Sequence, residues 1–204
     1  MAPGMQPQHP DDTLSPTWRQ RPKPVGFEIA YKIDGDTLEI DTTRKVDRVR
    51  LAAVEQVRFV YAPSNLSSKG FKTQLRLSDG KSITFGNLSW RSLTDMDRDD
   101  AGYRAFVCAL AAAIARANPR ARFVAGKPFA FWGALAGVSM LSLLMLVFIT
   151  GRALLQGAHS IALLGALLTA ASYWQVMPMV TLNKPRELAT GEIPDDLVPG
   201  RPAA

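Results

Sequence analysis

The chain has 204 residues, a formal net charge of +6, one cysteine and two histidines. The lone Cys108 excludes an intramolecular disulfide and a cysteine-built metal site, and His9 and His159 are too few for a zinc cluster or a histidine-dependent triad. A polar front half and a strongly apolar back half cancel in the overall hydropathy, so the sequence is best interpreted segment by segment.

Residues 1–24 are rich in proline and polar side chains and contain few aliphatic residues. Such a segment buries too little apolar surface to offset the entropy of ordering, so we predict a disordered N-terminal tail. Trp18 is expected to be exposed to solvent or transiently bound, with docking on the domain as the alternative. The tail also lacks the continuous apolar run of a secretory signal peptide. We therefore expect the domain that follows it to stay in the cytoplasm.

From Val25 onward, apolar and polar residues alternate, which is typical of half-buried strands. Asp34-Gly35-Asp36 predicts one tight hairpin, and Asp79-Gly80 predicts another. Further alternating runs fall near residues 46–51, 57–61, 73–77 and 83–85, and a short one falls near 90–93. The pattern predicts six or seven antiparallel strands.

After the strands, the apolar period becomes 3.6, which predicts an amphipathic helix from about Asp97 to Asn118, ended by Pro119. The acidic residues at its start resemble the opening of a calcium loop but lack the glycine and the glutamate that such a loop requires. We interpret them as helix caps. The small residues opposite its apolar stripe indicate either high helix propensity or a docking face; they are Ala101, Ala105, Ala112 and Ala115.

The order of strands followed by one helix resembles the pleckstrin-homology superfold, in particular bacterial PH-like domains of small membrane proteins. The stretches that carry the resemblance are IDGDTLEI, RVRLAAVEQVRFVY, LRLSDGKSITF and DDAGYRAFVCALAAAI. The resemblance implies an α+β fold over residues 25–118, with a barrel or sandwich of six or seven antiparallel strands capped by one C-terminal helix. It also implies a binding or assembly scaffold without catalysis.

The first hairpin turn departs from the family pattern for inositol lipids. Phosphoinositide-binding PH domains place several lysines and arginines there, whereas this chain has Asp34 and Asp36. Two carboxylates repel a phosphorylated headgroup. We therefore expect no inositol-lipid recognition at this turn.

Two apolar runs without charged residues, Phe129–Thr150 and Ile161–Leu182, are each about as long as a bilayer core is thick. They predict a two-helix transmembrane hairpin over residues 129–182, preceded by a basic linker at 119–128. Tyr173 and Trp174 also fit a second span that begins near Ala153 and ends near Pro178. Residues 183–204 are predicted to form a polar cytoplasmic tail.

Most of the basic residues that flank the hairpin lie on one side of it. Four precede the first span, and they are Arg116, Arg120, Arg122 and Lys127. Lys184 and Arg186 follow the second span, whereas Arg152 alone marks the connection. This bias predicts a protein of the inner membrane with both termini in the cytoplasm. The four preceding residues either determine topology only or also bind anionic lipid headgroups.

Small residues recur at four-residue spacing in both spans, which favours close helix packing. They are Gly133, Gly137, Ala162, Ala166 and Ala170. The spacing leaves open whether they pack within one hairpin or between two copies of the chain.

The sequence predicts no catalytic, cofactor-binding or metal-binding residues. We expect a membrane-anchored interaction or assembly module that binds a protein partner or its own copies. The alternatives are a sensor of anionic phospholipid and a small accessory subunit of a transporter or channel. The modest positive charge is compatible with nucleic acid, but a domain held beside anionic lipid headgroups gains from the same charge. Since the apolar hairpin favours the membrane, we do not expect nucleic acid as a partner.

Overall fold

Two β-sheets and one amphipathic helix form the polar part of the protein. The computed structural model describes residues 16–63 and 69–200. The first sheet is antiparallel, in the order β1-β2-β3-β4, with β1 Thr17–Gln20, β2 Ile29–Asp34, β3 Thr37–Asp41 and β4 Val46–Arg50. The second has the order β11-β10-β5-β6-β7, with β5 Val54–Tyr61, β6 Phe71–Leu77, β7 Ser82–Gly86, β10 Arg122–Ala125 and β11 Arg186–Leu188.

The remaining elements are a short strand pair and three helices. β8 (Leu88–Trp90) pairs with β9 (Met96–Arg98), and the helices are α1 Asp100–Ala117, α2 Phe129–Leu155 and α3 His159–Thr181. A 3₁₀ turn at Leu51–Ala53 carries the chain from the first sheet to the second. The order of strands followed by one amphipathic helix and a long helical pair agrees with the predicted α+β class.

The core lies where side chains of both sheets meet the apolar stripe of α1. Phe59, Phe85, Tyr103 and Phe106 are at most 1% exposed, and Phe85 packs edge-on against Phe106 with ring centres 5.5 Å apart. Among the described residues, however, no sheet closes into a barrel, because β4 and β7 are end strands. The structure is therefore two open sheets around a helix.

The predicted N-terminal tail is wrong for its last part. Residues 1–15 lie outside the described range, but Thr17–Gln20 form β1, which pairs with β2. Trp18 is 5% exposed, and its ring packs against Tyr103 at 5.7 Å, so the prediction of an exposed Trp18 is wrong as well. A single four-residue strand with only one aromatic side chain is too short to stand out from a polar segment.

The basic linker and the C-terminal tail also belong to the folded domain. Residues 122–125 form β10, which pairs in parallel with β5, and Phe123 is 2% exposed. The tail contributes β11, and its Leu197 is fully buried in the core. Arg104 of α1 holds this tail by hydrogen bonds to the Pro199 carbonyl and the Asp195 carboxylate, at 2.9 and 2.7 Å.

Of the acidic residues predicted to cap α1, Asp99 does so. The carboxylate of Asp99 accepts a hydrogen bond of 2.8 Å from the Gly102 N–H. Asp100 accepts one of 2.7 Å from the buried amide of Asn87 and also pairs with Arg98. Burial alone would raise the pKa of Asp100, but the hydrogen bonds from Arg98 and Asn87 outweigh burial and lower it. The helix begins at Asp100 because Met96–Arg98 pair with β8 instead.

Burial of Tyr31 gives the domain a defined weakness in alkali. The side chain is 3% exposed, and desolvation raises its pKa to about 12 from about 10. A raised folded-state pKa contributes stability that is present below pH ~10 and lost as the pH rises towards ~12. Between pH ~10 and ~12, we expect the free energy of unfolding of Tyr31→Phe to fall by about 2–3 kcal/mol less than that of the unsubstituted protein. Denaturant unfolding at each pH measures the difference. Equal losses in both proteins would contradict the assignment.

Candidate functional site at the membrane junction

Helices α2 and α3 expose their apolar side chains. Phe148 and Leu163 are each 65% exposed, whereas the core helix of a soluble protein would bury such residues. The 27 residues of α2 extend for about 40 Å and the 23 of α3 for about 35 Å, which exceeds the roughly 30 Å of a bilayer core. Both helices are therefore long and apolar enough to span a membrane.

The helical pair is inserted between two neighbouring strands. β10 leads into α2, α3 leads into β11, and β10 and β11 pair antiparallel with Phe123 opposite Leu188. Two further hydrogen bonds join the ends of the helices: the Trp132 indole donates to the Val180 carbonyl at 2.8 Å, and the Lys127 N–H donates to the Asn183 carbonyl at 3.1 Å. The sheet and the hairpin are thus attached at two points.

Asn183 closes this junction. Its side chain is fully buried, donates to the Tyr61 carbonyl at 2.9 Å and accepts from the Tyr61 N–H at 3.1 Å, so it satisfies both backbone groups at the end of β5. Gly126 passes closely beside it with a φ of +78°. A Cβ on Gly126 would lie 2.5 Å from the carbonyl oxygens of Asn183 and Lys184, so only glycine fits there.

A groove of about 390 Å³, which we call the junction groove, opens at the start of α2. Strands β5, β10 and β11 form its wall, and the first residue of α2 forms its rim. The residues that give it its character are Arg58, Arg122, Lys127, Phe129, Arg186 and Glu187. Four cationic side chains therefore share one groove with a single carboxylate.

The cations of the junction groove are only partly neutralised. Arg122 pairs with Glu187, and Arg186 pairs with Asp196. Arg58 instead donates to the Gly126 carbonyl at 2.8 Å, and within the described residues no carboxylate pairs with it. Burial lowers the pKa of Arg58, and the positive charge of Arg122 lowers it further. This mutual repulsion marks a place where an anion would be stabilised.

Other features of the junction groove favour an anion at the membrane surface. The groove reaches Phe129, the first residue of α2, where the helix dipole adds a partial positive charge. The ammonium of Lys127 lies 4.8 Å from the ring centre of Phe131, an aromatic residue suited to the membrane interface. Since like charges repel, the same groove is unsuited to a metal cation.

The structure separates the four basic residues that the sequence singled out. Arg122 and Lys127 line the junction groove, whereas Arg116 and Arg120 lie outside its lining. Asn118, which accepts a bond from the Arg120 N–H, also bonds to the Val54 carbonyl at the far end of β5. Sequence reasoning missed Arg58 and used Arg186 only as a topology signal. Nothing in a strand pattern reveals that Arg58 faces the residues around 122–127.

The small residues of the hairpin also divide into two groups. Gly133 and Gly137 border open space, so they do not pack against α3. Close contact between the helices occurs instead where Gly165 meets Thr150. Ala162 is 6% exposed, whereas Ala166 and Ala170 line an apolar groove of about 500 Å³ between α2 and α3.

Comparisons with known proteins supply no family for this chain. No protein-family model, curated protein or solved structure matches it. The chemistry of the junction groove is therefore inferred from its own residues.

We expect Asn183→Ala to destabilise the domain. The substitution leaves the N–H and C=O of Tyr61 buried without partners, at a cost of about 2–4 kcal/mol. Thermal unfolding of the purified full chain in detergent measures the loss, with the neighbouring Lys184→Ala as the control. An Asn183→Ala protein as stable as that control would show that the hydrogen bonds between Asn183 and Tyr61 contribute little to stability.

Proposed function

We propose that this chain is a membrane-anchored, non-catalytic binding domain that holds the phosphate of an anionic phospholipid in the junction groove. The observation that carries the proposal is that four cations line one groove together with Phe129, the first residue of an apolar helix; they are Arg58, Arg122, Lys127 and Arg186. A phospholipid headgroup lies at this level when such a helix spans the bilayer. The site and its ligand would then meet without any movement of the domain.

The chemistry of the groove matches a phosphate diester. Guanidinium groups donate paired hydrogen bonds to phosphate oxygens, and helix N-terminal N–H groups add further donors. Arg58 is the best placed of these cations, because its bond to the Gly126 carbonyl fixes it beside the junction. Each basic residue near an anionic surface contributes about 1 kcal/mol of attraction. These groups bind an anion and do not transform it.

The basic residues also support an orientation. With the junction groove on the cytoplasmic side, both termini lie in the cytoplasm and the connection near Gln156 lies outside, in agreement with the positive-inside rule. The proposed membrane is the bacterial inner membrane. Arg152 is the one charged residue near the connection within the described part of α2.

A PH-like sandwich is part of the proposal. Four antiparallel strands, a second sheet that contains the meander β5-β6-β7, and a helix after them support it. The turn at Asp34–Asp36 does not take part in lipid binding, since the Asp36 carbonyl bonds to Leu51 near the end of the domain away from α2. The junction groove supplies the cations that this turn lacks.

Lipid retention tests the proposal directly. The full chain is purified in mild detergent, and bound phosphatidylglycerol is counted by native mass spectrometry. We expect the pair Arg58→Gln and Arg122→Gln to retain about tenfold less lipid, because two charge-assisted hydrogen bonds are lost. The pair Arg116→Gln and Arg120→Gln removes the same charge outside the lining of the groove and serves as the control.

Equal loss of lipid in both pairs would overturn the proposal, since it would show that net charge alone attracts the lipid. Equal retention in both pairs would overturn it as well. Lys127→Gln provides a second groove variant whose side chain lies outside the packed sheet. Thermal unfolding of every variant verifies that the domain remains folded.

A further inference from the structure

A second cleft lies between the outer edges of β4 and β7, and we call it the seam. It has a volume of about 490 Å³ and forms where the two sheets fail to close. Its floor is aliphatic, with Ile40, Val49, Leu77 and Ile83. Its rim is basic, with Lys45, Arg48, Arg50 and Lys81, against two rim carboxylates, Asp47 and Asp79.

We propose that the seam binds an extended, acidic segment of a soluble partner protein by strand addition. Both β4 and β7 are the last strands of their sheets within the described residues, so each offers a row of backbone N–H and C=O groups. An added strand pairs with such an edge, and its alternate side chains point to opposite sides. Aliphatic side chains at alternate positions would meet the floor.

The charge of the seam selects the partner. Lys45 pairs with Asp47, and Lys81 pairs with Asp79 at 2.9 Å. The other two rim cations, Arg48 and Arg50, are exposed, and Arg48 pairs with Glu39 at 2.6 Å. The four cations and two carboxylates of the lining leave an excess of positive charge. An acidic segment is therefore attracted and a basic segment is repelled.

The seam lies on the side of the domain away from the start of α2. The Ser78 N–H bonds to the Ala53 carbonyl at 2.9 Å, which fixes this end of the cleft at the start of β5. The eight residues of β5 then extend for about 25 Å to Tyr61 at the membrane junction. The seam thus lies towards the end of β5 away from α2, whereas the junction groove extends along β5 from Gln56 towards α2. A partner must reach it from solution.

One surface that competes for such a partner is already filled. The groove beside α1 is covered by this chain's own residues 189–200, with Leu197 and Val198 at most 1% exposed and Pro199 held by Arg104. The open edges at the seam remain for another chain.

Peptide binding to the full chain in lipid nanodiscs tests this inference. The probe is a fluorescent peptide of alternating valine and aspartate, about six residues long to match an ordinary strand. We expect it to bind, and we expect peptides with lysine in place of aspartate, or with a central proline that blocks pairing, to bind at least about tenfold more weakly. Hydrogen exchange should show new protection in Val46–Arg50 or Ser82–Gly86.

Charge reversal locates the contact. Arg50→Glu combined with Lys81→Glu should weaken binding of the acidic peptide by at least about tenfold. The control is Arg19→Glu combined with Arg91→Glu, which changes the same charge beside β1, at the opposite edge of the first sheet from β4, and should leave binding unchanged. No binding, equal binding of the three peptides, equal effects of the two pairs, or an absence of new protection on both edges would each overturn the inference. Lipid retention is measured in the same proteins and should stay constant.

Discussion

The arrangement of this protein depends on the attachment of an apolar helical hairpin to one sheet at both ends of the hairpin. The side-chain amide of Asn183 completes this attachment. A single linker would leave the domain free to rotate above the membrane. Here the chain leaves the sheet through β10 and returns through β11, and the Asn183 side chain completes the hydrogen bonding of Tyr61 between them. The orientation of the sheet relative to the helices is therefore fixed by backbone pairing.

The junction groove is a consequence of this attachment. Because β10 runs parallel to β5, Arg58 and Arg122 come to one wall, and the start of α2 lies at its rim. Like charges brought together in this way cost free energy unless an anion offsets them. Glu187 and Asp196 offset part of that cost, and a headgroup phosphate would offset more. The rigid attachment of the hairpin and the repulsion between Arg58 and Arg122 thus occur at the same place.

Long, regular segments were predictable from the sequence, whereas short ones were not. The hairpin turns at Gly35 and Gly80, the amphipathic stripe of α1 and the two apolar helices follow from local periodicity. β1, β10 and β11 have three or four residues each, and their existence depends on partners far away in the chain. For the same reason, Arg122 and Lys127 were recognised as a basic cluster, but Arg58 was not.

Cysteine accessibility gives the most direct test of an account in which the hairpin crosses the membrane and the sheets stay inside. In a Cys108→Ser background, Gln156→Cys and Arg116→Cys are each treated with a membrane-impermeant maleimide in intact spheroplasts. The account predicts that Gln156→Cys is labelled at once and that Arg116→Cys is labelled only after the membrane is permeabilised. Labelling of Arg116→Cys in intact spheroplasts, or protection of Gln156→Cys, would contradict it.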